Sequence, residues 1–142
     1  MTTVYDDIEK VLIASVMACE LGYVTQYPNM PAIAKPANQA PWCQVFILDG
    51  DSQPVSLGRA GDDSFNGILQ IDFNCAINVG TALQRQFKNN VKGYYVAGLP
   101  LVLGVFKGYV RSCSFSSGRV VDGYWRVSAS VVWEGRAPRR PI

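Results

Sequence analysis

Three features of this sequence predict an α+β domain: a mostly antiparallel β-sheet with two α-helices packed on one face, and long Pro-rich and Gly-rich loops. The first is residues 67–77, GILQIDFNCAI, where Leu69, Ile71, Phe73, Cys75 and Ile77 alternate with Ile68, Gln70, Asp72, Asn74 and Ala76. Successive strand side chains point to opposite faces, so this segment offers the core an unbroken apolar row. The second is a pair of segments with helical periodicity, one near the start and one directly after that strand. The third is the order helix, long loop, strands, helix, strands, with no internal repeat and no linker. A single domain spanning the 142 residues is expected, with residues 135–142 as an extended tail.

Residues 3–22 read as the first helix. Val4, Ile8, Val11, Leu12, Ser15 and Cys19 fall on one face, with Val16 at its margin. Thr3 is placed to cap it, Asp6, Asp7 and Glu9 suit its positive end, and Gly22 closes it. Residues 27–42 then carry Pro28, Pro31, Pro36 and Pro41, which remove backbone donors and predict an extended crossover. WCQVFIL, residues 42–48, is apolar on both faces and reads as a central strand. After the Asp49-Gly50-Asp51 turn signal, Gly58, Gly61 and Gly67 punctuate a polar stretch that predicts a flexible hairpin arm. It is no phosphate loop: a strand follows rather than a helix, and Asp62 and Asp63 repel anions.

Thr81 and Gln84 have capping-box spacing. The helix they open presents Leu83, Phe87 and Val91 to the core and ends at Gly93, with Arg85, Lys88 and Lys92 on a solvated face. Residues 100–106 are apolar without a clear period. Residues 108–115 and 124–134 read as antiparallel partners, the latter with Trp125, Val127, Ala129, Val131 and Trp133 inward.

The totals exclude several function classes. Net charge is only +2, too small for an electrostatic hold on nucleic acid or membrane, and charged residues make up 17%. No apolar run reaches the ~20 residues that span a bilayer. Acidic residues stand where a secretory leader is basic, so a cytosolic fate is expected. The sequence contains no histidine, which removes Ser-His-Asp, Cys-His and His-based metal chemistry together. Cys19, Cys43, Cys75 and Cys113 lie far apart with no CxxC pair, and are expected as buried free thiols. The carboxylate pairs Asp6/Asp7, Asp49/Asp51 and Asp62/Asp63 occupy helix-start or turn sequence, where aspartate is favoured for backbone reasons. No catalytic residue, metal site or cofactor site is expected.

One further pattern covers nearly the whole chain. An N-terminal helix is followed by Tyr27-Pro28-Asn29-Met30-Pro31, then by the glycine-entered strand Gly67-Ile-Leu-Gln-Ile-Asp-Phe and a helix reaching Phe87. Asp122-Gly-Tyr-Trp-Arg-Val-Ser leads the last strand. In this order the chain resembles the phage tail terminator-like proteins. It departs from them at Asn78-Val79-Gly80, where a Pro-x-Gly turn is usual, and at Tyr27, where tryptophan is expected; the basic C-terminal residues have no counterpart.

The resemblance implies a structural virion protein, not an enzyme. Its subunits form a homo-oligomeric ring, a hexamer, that caps the tail tube, ends its polymerisation and presents a surface for head–tail joining. The implied partners are other copies of the chain, the tail tube protein, the head–tail connector or neck protein, and the sheath if the tail is contractile. DNA enters only by passing through the lumen, and no membrane is involved. The implied location is the tube–neck junction of the virion, after assembly in the host cytoplasm. From loop character, the expected assembly contacts are Tyr27, Pro28, Asn29 and Pro31, then Arg59, Asp62, Asp63 and Phe65, then Arg136, Arg139 and Arg140. The alternatives are another connector or minor tail subunit, or a small ligand-binding or hydrolytic α+β domain using a carboxylate or lysine.

Overall fold

The computed structural model describes residues 3–139. Its elements in chain order are α1 (Val4–Ala18), β1 (Val24–Gln26), a short 3-10 turn (Ala37–Gln39), β2 (Trp42–Asp49), β3 (Gln53–Pro54), β4 (Asp62–Cys75), α2 (Ala82–Tyr94), β5 (Pro100–Leu103), β6 (Phe106–Phe115), β7 (Arg119–Val121) and β8 (Tyr124–Pro138). The fold is α+β, as the sequence predicts. One mixed, mostly antiparallel sheet runs in the order β1-β2-β4-β8-β6-β5, and only β1 and β2 are parallel. β3 takes over the place of β2 beside β4, and β7 that of β6 beside β8.

The axis of the sheet is the long β4–β8 pair, in register from Asp62↔Pro138 to Cys75↔Trp125. Leu69, Ile71, Phe73 and Cys75 from β4 meet Ala129, Val131 and Trp133 from β8 in the core, and Val127, opposite Phe73, is fully buried as well. Both helices cover this face. Ile8, Leu12 and Val16 come from α1, and Phe87 and Val91 from α2. Phe87 stacks on Phe73 with ring centroids 4.8 Å apart, and Ser15 of α1 pairs with the Tyr95 hydroxyl at 2.8 Å, which joins the two helices. Gly67 faces Trp133 across the ladder, and a Cβ there would meet the indole at 2.5 Å and also strike the Leu48 carbonyl. Glycine thus leaves room for the tryptophan.

Several expectations need correction. α1 stops at Ala18 because Glu20 and Gly22 adopt positive φ, which breaks the helical path. Thr3 makes no cap; its hydroxyl donates to Asp7 Oδ2 at 3.1 Å, and that same oxygen accepts the Val105 amide at 3.0 Å, tying α1 to the β5–β6 turn. The Thr81–Gln84 capping box does not form, because Gln84 Oε1 accepts the Trp125 indole N–H at 2.6 Å. α2 runs one residue beyond Gly93, to Tyr94, and Leu83 is exposed. Its basic face is not simply solvated: Lys92 donates to the Cys113 carbonyl at 2.7 Å and Lys88 lies over the Phe115 ring. β4 begins at Asp62 and ends at Cys75, so half of the expected flexible arm is ladder while Ile77 lies exposed beyond it. The expected tail from residue 135 is, as far as Pro138, the end of β8, held by β4 along its length and by β6 as far as Arg136.

The described cysteines are free thiols, three buried and Cys19 half-buried. Burial, helped by Cys113, pushes Cys19 up to about 11, and burial, with Asp72 and Cys19 nearby, pushes Cys43 up to about 12. An unfolded thiol releases its proton near pH ~8.5, so between that value and the folded ones the unfolded chain binds fewer protons. Stability is therefore retained below this window and falls as pH rises through it. Cys43 contributes up to about 1.4 kcal/mol per pH unit, and half-exposed Cys19 less. Thermal melts under reductant are expected to show a lower midpoint at about pH 10.5 than at about pH 7.5; a Cys43→Ala variant should flatten that difference.

Candidate assembly surfaces

Both helices lie on one face of the sheet, which leaves its other face, its edges, its ends and the outer side of the helices open to contact. The first surface lies beside β2. β1 pairs only with residues 42–44 of β2, and from Val45 to Asp49 the outer backbone edge of β2 has no strand beside it. Unpaired strand edges present main-chain donors and acceptors to a neighbour. Here the Pro-rich loop turns away and leaves a groove of about 500 Å³, walled by Tyr27, Pro28, Met30 and Ile33 on one side and by Phe46 and Leu48 on the other.

The loop is built to hold this shape. The Gln26 amide donates to the Tyr27 and Met30 carbonyls at 3.1 and 3.0 Å, while its oxygen accepts the Ile33 N–H at 2.7 Å. Asn29 supplies the positive φ that the turn requires. Further along, the Lys35 ammonium sits 5.5 and 5.4 Å from the Trp42 and Tyr124 ring centres, a cation–π clasp onto the sheet. Beside the groove, Tyr5, Asp6, Glu9 and Asp49 line a smaller hollow that shares Pro28 and Ile47 with it. Burial raises the Asp49 carboxyl above the ordinary carboxylate value.

The second surface is the arm between β3 and β4. Arg139 gathers it: Nε donates to Asp63 Oδ1 at 2.8 Å, Nη2 to the Ser56 and Asp62 carbonyls at 2.8 and 3.0 Å, and Nη1 to the Gly58 carbonyl. The Arg139 N–H adds a bond to the Gly61 carbonyl at 2.8 Å. Planar guanidinium groups hold such multidentate sites with little loss of freedom per bond. The held turn points Leu57 into solvent, 99% exposed, with Arg59 beside it.

The third surface is the helix-free face of the sheet. Leu48, Ile68 and Val132 lie in one cross-strand row there. Glu134 accepts hydrogen bonds from Tyr109 and, at 3.5 Å, from Arg111. Toward the other end of this face the row becomes polar and closed. Asp72, only 3% exposed, accepts from Ser128 Oγ at 2.6 Å and Gln70 Nε2 at 2.9 Å, with the Arg126 guanidinium 4.0 Å away. Arg126 also donates to Asn74 Oδ1 at 2.7 Å.

Of the expected contacts, Tyr27, Pro28 and Asn29 line the groove and Pro31 is exposed on the same loop. Asp62, Asp63 and Arg139, expected on two separate segments, come together in the arm, and Arg59 is exposed on its turn. Phe65 is taken up by the core, packed edge-on against Tyr5. Arg136 pairs across the ladder with Ser64 and Lys107, and Arg140 lies outside the described residues. Three contributors escaped the sequence reading: Gln26, Leu57 and the outward pair Phe46 and Leu48. An apolar Val55-x-Leu57 inside a polar, glycine-punctuated stretch was the available signal for the second.

Among the described residues no group of acidic or thiol side chains is placed to hold a metal ion, and no helix is long and apolar enough to cross a membrane. The arrangement offers instead a free edge, an apolar groove and a stiff apolar tip, which are means of binding another macromolecule.

The comparisons agree with this character. A solved structure 17% identical to the chain superposes with a TM-score of 0.68, covering 93% of this chain and 92% of the other, which establishes a shared fold. No curated protein matches the sequence. Residues 7–133 match the family model described as phage tail terminator protein, from the first turn of α1 to Trp133 in β8. The chain therefore belongs to the phage tail terminator protein family and is a structural component of the phage tail.

Proposed function

We propose that this subunit closes a homo-oligomeric ring, a hexamer, on the end of the tail tube, stops further polymerisation and presents the surface where the head–tail connector or neck protein docks. The observation that carries the reading is the unpaired edge of β2 from Val45 to Asp49, set beside an ordered groove on a sheet already sealed by helices on its inner face. A subunit that must associate side by side needs two different, complementary patches whose rotation closes. The groove and the Arg139-held arm are two such patches, formed by Tyr27, Pro28, Asn29 and Pro31 on one side and by Arg59, Asp62, Asp63 and Arg139 on the other. Arg136, paired with Ser64, extends the second.

In this reading the partners are other copies, the tube protein, the connector or neck protein and, in a contractile tail, the sheath. DNA passes through the lumen without being gripped. The ring sits at the tube–neck junction and is assembled in the host cytoplasm.

Purified chain mixed with tail tubes is expected to give ring-shaped density at one tube end by electron microscopy, and tubes grown in its presence should be shorter. Random decoration along the tube walls, or unchanged tube lengths, would overturn the assignment.

A further inference from the structure

We propose that, in the ring, the arm of one copy seats Leu57 in the groove beside β2 of the next copy while Arg59 meets the hollow lined by Asp6, Glu9 and Asp49; this rests on the ring reading above. Both halves of the contact belong to this chain. Leu57 is 99% exposed, yet its turn is held by five hydrogen bonds from Arg139. A large apolar side chain presented on a stiff support gains by burial and gives up little conformational freedom in binding. The groove supplies matching apolar walls in Met30, Ile33, Phe46 and Leu48, and no residue of the arm lines it. Leu57 therefore does not fill its own chain's groove, and the contact is head-to-tail.

Charge gives the second argument and fixes the occupant. Arg59 has no ion-pair partner among the described residues, and neither does Asp6, Glu9 or Asp49. The hollow these acids line adjoins the groove through Pro28 and Ile47, and Arg59 lies two residues from Leu57. An apolar tip flanked by a cation thus faces an apolar groove flanked by acids. Complementary charges of this kind set register and partner choice.

The test compares full-length chains by light scattering and electron microscopy. Leu57→Asp is expected to weaken self-association by about 10- to 100-fold. Arg59→Glu should weaken it less, with recovery when Glu9→Lys and Asp49→Lys are added. The affected side chains are exposed, so thermal midpoints should stay near that of the unaltered chain, which separates lost contact from lost fold. A mixture of Leu57→Asp with Met30→Asp keeps one intact tip and one intact groove, and should form pairs but no rings.

Unaltered chain that forms rings while the Leu57→Asp chain forms them equally well overturns this contact alone. A charge exchange that recovers nothing does the same. Variants that still close rings but no longer bind tube ends assign the arm to the tube protein and also overturn it. Unaltered chain that neither self-associates nor binds tube ends removes the ring reading itself.

Discussion

Replacing Phe73 by alanine is expected to lower stability by about 3–5 kcal/mol, which at this chain length displaces the thermal midpoint by about 10–20 °C. Phe73 is fully buried in β4, stacked on Phe87 of α2 and tilted against Tyr23 at 5.2 Å. Alanine would leave a void that the surroundings cannot close, because β4 is hydrogen-bonded on both sides by β2 and β8. The loss should therefore be near the top of the range and should appear equally by near-UV and far-UV circular dichroism. Phe73→Leu should recover most of it. A loss below about 1 kcal/mol for the alanine variant would mean that α2 does not hold to the sheet through this stack.

The second large effect is expected at Asp72, on the opposite face of the same strand. Asp72→Ala leaves Ser128 and Gln70 without their acceptor and the largely covered Arg126 without its counter-charge. Removing one member of a buried ionic network typically costs 3–5 kcal/mol; since Arg126 keeps some contact with solvent, about 3 kcal/mol is expected. Asp72→Asn, which retains hydrogen bonding, should cost less. Combining Asp72→Ala with Arg126→Met should recover part of the loss, since the stranded cation is removed with its partner. Denaturant melts of the three variants and the parent decide the matter, and strictly additive losses in the double variant would contradict a coupled network.

These two residues also show how far the sequence could be read. The alternation across 67–77 identified Phe73 as inward because a buried face imposes a period of two, and the same logic found the inward row of β8. It placed Asp72 and Asn74 on the outward face, where they are, but gave no sign that this part of the face is closed. The contacts made there, from Ser128 and Arg126 onto Asp72 and from Arg126 and Trp42 onto Asn74, join residues far apart in the chain.

The same limit explains the strand ends. Asp62 to Asn66 and Gly135 to Pro138 have weak β-propensity, and each is extended because the other lies beside it. Gln84 had the right spacing for a cap, yet the part-buried Trp125 indole N–H, on the fourth strand after α2, proved the better donor for it. For the assembly surfaces, proline and glycine content located the loops but not their partners. That Arg139 and residues 56–63 form one body could be known only from the ladder that brings them together.

That ladder has a mechanical consequence. At about 3.4 Å per residue the 14 residues of β4 run about 45 Å without interruption, and β8 accompanies them the whole way. A pull directed along the strands loads the ladder's hydrogen bonds together, in shear, instead of opening them one after another. The arm at one end and the Trp125 end at the other are joined by a strut, so a load taken up at one is delivered to the other with little stretch.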